Sequence, residues 1–149
     1  MRDDRGQLSI LILGLTVIAM TLIIGGLAVT SVQISRMQLL DAADSAALEA
    51  TDEGAERIYD TGLGETLPVT DEIVQRSAAE HLASRDRPYR LESWQVAPGT
   101  GSPDNRTAVV RLTGEADLPL VGGLLESLGG SVTITVESRA RADVVEDAP

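Results

Sequence analysis

Few side chains in this sequence are of types that do chemistry, and their spacing points away from catalysis. His81 is the only histidine and cysteine is absent. An ordinary zinc site, a thiolate nucleophile and a disulfide are therefore all out of reach. His81 falls on one face of an expected helix and reads as a solvated side chain. Ser102-Pro103-Asp104-Asn105 offers too few oxygen ligands for a calcium loop, which needs alternating Asp or Asn around a glycine. No nucleophile elbow and no glycine-rich phosphate cradle occurs. Carboxylates are plentiful, but no spacing singles out a pair for acid–base work, and they read as a charged face. Asn105-Arg106-Thr107 fits a glycosylation sequon and reads as a turn. The expectation is a non-enzyme with no catalytic residue, cofactor, metal or small-molecule substrate.

The charge balance excludes another class. Every basic residue is arginine, and from Met37 onward nine Arg stand against twenty-one Asp plus Glu, a balance of −12. Such a surface repels phosphate backbones and anionic lipid heads, so nucleic acid is not an expected partner. With no Phe, one Trp and two Tyr, the core must be built from Leu, Val, Ile and Ala. Each of these buries less area than an aromatic ring, so modest stability is expected.

The elements that could position anything begin with an anchor. Leu8–Val32 is twenty-five residues without a charge, about 37 Å as a helix, enough to cross a hydrocarbon core of about 30 Å. A cleaved secretory signal is the competing reading, with Gly26-Leu27-Ala28 as its processing site. The apolar run exceeds the usual signal core, and Asp3 and Asp4 spoil a positive leader. Arg2 and Arg5 on the short side against Arg36 on the other favour a cytoplasmic N-terminus and an extracytoplasmic C-terminal domain.

No Gly or Pro interrupts residues 33–53, which are rich in good helix formers. One continuous helix from about Gln7 to Glu53 is expected. At 100° per residue, Gly14, Thr21, Gly25, Ala28, Val32, Leu39, Ala43, Ala46 and Ala50 fall within a sector of about 60°. Small residues let helix backbones approach closely, which is how helices associate in lipid. Asp41, Asp44, Glu49, Asp52 and Glu53 avoid this stripe, as expected of a helix packed on partners or on its own domain. The bland alternative is that alanine is common and falls on any face.

Beyond it, Gly54, Gly62, Gly64 and Pro68 predict a loop from Gly54 to Pro68. Thr70 caps a second helix with Asp71 and Glu72 in its first turn and an apolar face of Val74, Ala78 and Leu82 flanked by Ile73. Past Pro88 the period becomes two, and strands are expected at Tyr89–Val96, Arg106–Ala116 and Ser131–Ala142. The apolar connection of Leu118, Leu120, Val121, Leu124, Leu125 and Leu128 reads as a helical turn or loop covering the sheet. The fold class is α+β: a long N-terminal transmembrane helix continuing outward, a second short helix and a three-stranded antiparallel sheet. Its divisions are a cytoplasmic N-terminus (1–7), the span (8–32), the outward helix (33–53) and a small acidic α+β domain (54–149).

Asp4-Arg5-Gly6-Gln7 before an apolar helix, the run from Gln38 to Ala50, and Leu118 to Ala142 resemble the TadE/TadG-like family of Flp (tight-adherence) pilus assembly. That resemblance implies a pseudopilin-like, single-pass cell-membrane protein, a structural or accessory component of a type IV pilus or related secretion assembly. Its partners would be other pilin-like or Tad-type assembly proteins, met through the N-terminal helix, together with membrane lipid. It also implies prepilin-peptidase cleavage between Gly6 and Gln7. Prepilins carry Glu five residues into the mature chain, where this sequence has Leu11. The alternative is an anchored extracytoplasmic binding or regulatory protein that never joins a filament.

Overall fold

A computed structural model describes residues 4–61, 69–118, 122–127 and 132–141. The first helix, α1 (Asp4–Thr61), is 58 residues long, about 87 Å. It runs through Gly54, so the loop expected there starts no earlier than residue 62. A single helical glycine costs only about 1 kcal/mol relative to alanine, and the Ala55-Glu56-Arg57 that follows favours continuation. Gly62, Gly64 and Pro68 lie outside the described residues.

Helix α2 (Asp71–Ser84) has Thr70 as its N-cap, the hydroxyl oxygen accepting from the Ile73 amide, and Asp71 and Glu72 in its first turn. Its buried face is Val74, Ala78 and Leu82 as expected, joined by Ser77 and His81. Strands β1 (Leu91–Val96), β2 (Thr107–Ala116) and β3 (Val132–Arg141) form an antiparallel sheet in the order β1-β2-β3. Leu91 pairs with Ala116 and Ala116 with Val132 at one end of the sheet, and Thr107 pairs with Arg141 at the other. A short helix, α3 (Gly122–Ser127), interrupts the connection from β2 to β3. The elements packed on the sheet are α1 and α2; of the apolar connection expected to cover it, Leu118 is buried, and Leu120, Val121, Leu128 and the side chains of Leu124 and Leu125 lie outside the described residues.

Alternation sorts the sheet into two faces. Ala108, Val110, Leu112, Gly114 and Ala116 of β2 are buried, as are Ile134, Val136 and Ala140 of β3. Against them α1 sets Leu39, Ala43, Ala46 and Ala50, each fully buried. Burying a leucine such as Leu39 contributes about 1.5–3 kcal/mol. Gly114 is needed where β1 bulges between Leu91 and Ser93, and not for the approach of α1. A Cβ there would stand 2.9 Å from the Ser93 carbonyl oxygen and 3.6 Å from Leu39 Cδ1. The opposite face of the sheet is polar, with Thr113 bonded to Thr135 and Arg111 paired with Glu137.

Candidate functional site: the small-residue face of the long helix

The predicted stripe divides where the outer domain begins. Gly14, Thr21 and Gly25 are exposed, Ala28 and Val32 are half-buried, and Leu39, Ala43, Ala46 and Ala50 are sealed in the core. In an ideal projection, the stripe is the centre line of the arc that the domain covers. Ser31, Ser35 and Ala42 lie buried on one side of that line and Ala47 on the other. The outer half of the stripe is thus used within the molecule. The membrane half is not: a Cβ built on Gly14 or Gly25 meets nothing within 4 Å.

This lower half suits lipid. Thr16, Thr21 and Thr30 donate their hydroxyls to the carbonyls of Ile12, Val17 and Gly26 at 2.8–2.9 Å. Bonded to their own helix, these hydroxyls leave no donor unsatisfied in hydrocarbon. Leu8, Ile10–Leu13, Leu15, Val17, Ile18 and Met20 present a continuous apolar surface. The helix is long and apolar enough to cross a membrane once, by length and composition. Gly6 and Gln7 lie in its first turns.

Four residues that tie the two halves together were not distinguished by sequence reasoning. Ser31 Oγ donates to the Asp117 carbonyl at 2.9 Å and Ser35 Oγ to the Arg90 carbonyl at 3.0 Å. The Asp117 amide donates to the same Arg90 carbonyl, and Arg90 Nη1 reaches Ser31 Oγ. Two serines spaced one turn apart were visible, but nothing local separates them from solvated hydroxyls.

His81 corrects an expectation. It is 7% exposed, not solvated, because α2 lies along α1 and turns it inward. Its Nδ1 bonds the Glu49 carboxylate; that oxygen is an acceptor, so Nδ1 carries the proton. Nε2 is buried with no protein partner. Arg76 pairs with Glu53 at 2.9 Å further along the same seam. These contacts fasten α2 to α1.

Elsewhere the charged groups organise loops. Asp104 accepts from the Arg106 and Thr107 amides and the Thr107 hydroxyl. Those bonds hold its carboxyl below the ordinary carboxylate range. Arg111 and then Arg139 do the same for Glu137 by donating to it. Asn105, in the sequon, takes a left-handed φ of 58°, as its reading as a turn requires. Among the described residues, no group of three or more His, Cys, Asp or Glu is placed to hold a metal ion.

The family model of putative Flp pilus-assembly TadE/G-like proteins matches residues 6–53. It covers the apolar run 8–32, the small-residue stripe and the helical continuation 33–53, as the resemblance of this end of the chain implies. The matched stretch is about a third of the chain, so the likeness is to the helix that carries the stripe. No curated protein and no solved structure matches the chain.

Proposed function

We propose that this protein is a minor-pilin or pseudopilin-like component of a tight-adherence type IV pilus or related secretion assembly, anchored by α1 with its N-terminus in the cytoplasm and its outer domain beyond the membrane. The observation that carries the reading is the coincidence of the TadE/G-like match with a stripe whose membrane half, Gly14, Thr21 and Gly25, faces open space. An apolar helix gains little from hydrophobic burial in lipid, and close backbone contact over small residues is how such helices associate. The partners are pilin-like or Tad-type proteins bearing a similar helix, with lipid around them.

Leu11 stands where prepilins carry glutamate, which favours an accessory role over a place in the filament shaft and makes cleavage at Gly6–Gln7 the first thing to examine. In the native host, deletion of the gene should abolish assembled pili or change their number, and the full chain should copurify with a membrane secretion platform. Normal pili in the deletion strain, with the protein alone in membrane fractions, would favour the anchored binding protein. A reporter fused after Pro149 should be active only in a form that requires translocation.

A further inference from the structure

We propose that the membrane-proximal end of the outer domain is seated in the lipid headgroup layer, with Tyr89, Arg90 and Arg36 as its headgroup-contacting rim. The inference rests on the reading that residues 8–32 cross the membrane, and adds a second contact with the bilayer that the anchor does not imply.

The height at which the domain joins its helix decides what its base touches. A hydrocarbon core of about 30 Å that begins at Leu8 is crossed by about residue 28, and the headgroup region extends about 5–7 Å further. Ser31, about 4.5 Å past that point, is where the domain first touches α1, through the Asp117 carbonyl. Ser35, one turn higher, takes the Arg90 carbonyl. Asp117 is therefore at headgroup depth; the Arg90 carbonyl stands about 6 Å higher, and its guanidinium returns to that depth at Ser31. Tilt of the helix lowers them further. Sliding the helix outward would draw Arg5 and Asp4 out of water into hydrocarbon, which charged side chains resist.

The side chains at this level fit the layer. Tyr89 is 77% exposed, with its hydroxyl accepting from Arg90 Nε at 2.8 Å and its ring 5.1 Å from the guanidinium. Tyrosine at a membrane–water boundary puts its ring among the glycerol groups and its hydroxyl in water. Arg90 aims down the helix, one Nη reaching Ser31, and its planar fork of donors matches a phosphate. Arg36 is exposed less than one turn above Ser35. Against these two cations stands Asp117, exposed at the same level. Glu92 is exposed beside Leu91 at the same end of the sheet, so the two arginines meet headgroups as individual phosphate-matching donors and not as a net positive patch.

Because the chain has no cysteine, single labels are clean. The full chain in phosphatidylcholine–phosphatidylglycerol nanodiscs would carry a nitroxide at Ile18, Asp117 or Pro103, with collision rates measured against oxygen and a water-soluble nickel chelate. The expected result is oxygen dominance at Ile18, free chelate access at Pro103, and chelate access at Asp117 reduced several-fold relative to Pro103. Phosphorus dephasing of the arginine guanidinium carbons should also lose a component in Arg90→Gln. Equal chelate access at Asp117 and Pro103 overturns the proposal, and so does unchanged dephasing in Arg90→Gln. Chelate access at Ile18 instead overturns the anchor reading beneath it.

Discussion

Ser31 and Asp117, 86 residues apart in sequence, are joined by a hydrogen bond from Oγ to the carbonyl at 2.9 Å, and this bond fixes where the anchor ends and the outer domain begins. Together with Ser35 on the Arg90 carbonyl, it makes α1 a part of the domain and not a tether to it.

Ser31→Ala and Ser35→Ala should each lower the stability of the outer domain by about 1 kcal/mol, and up to about 3 if the carbonyl stays dry. Both serines are buried. Trp94 is the only tryptophan and packs against the core, so its fluorescence during denaturation of the full chain in detergent follows this loss. Unchanged midpoints in both variants would mean that the bonds are made equally well to water.

Close packing on the core face of the sheet makes a second prediction. Gly114→Ala places a methyl group 2.9 Å from the Ser93 carbonyl oxygen, and Ala43→Leu forces a larger side chain into a fully buried position. Each should cost about 1–3 kcal/mol by overpacking. Gly25→Leu, with open space around it, should leave the same unfolding curve unmoved.

Much of this arrangement was legible in the sequence, for identifiable reasons. The uncharged run, the Thr70 cap and the alternation of Val132, Ile134 and Val136 are local signals, and each gave its element. The stripe located the centre of the buried face of α1, since acids cannot be placed there. What was not legible depends on tertiary proximity. His81 looks solvated until α2 is laid against Glu49, and Ser31 looks idle until the β2–β3 connection meets it. Gly54 carried a breaker signal that its helix-forming neighbours overrode.

Acid should loosen the polar face of the sheet before the core. The carboxyls of Glu137 and Asp104 are held below the ordinary range by their donors. A carboxylate lowered in the folded state contributes stability above its unfolded pKa, and that contribution is lost as pH falls through the lower, folded value. Unfolding midpoints should therefore decline as the pH drops below the usual carboxylate range. Arg111→Gln removes the first donor to Glu137, so its titration, followed by carboxyl carbon shifts, should move back up. An unmoved titration in that variant would show that Arg139 alone sets it.

What the membrane half of α1 does is measured most directly by in-cell crosslinking across that segment. Gly25→Leu keeps the anchor apolar, so insertion should be preserved, but it adds bulk where backbones would meet. Ile23→Leu changes shape on the opposite face. The predicted result is loss of the crosslinked species in Gly25→Leu and retention in Ile23→Leu, with both variants inserted and their Trp94 unfolding curves superimposed. Equal crosslinking in the two variants would contradict the account and leave the small-residue stripe as the packing face of a single molecule.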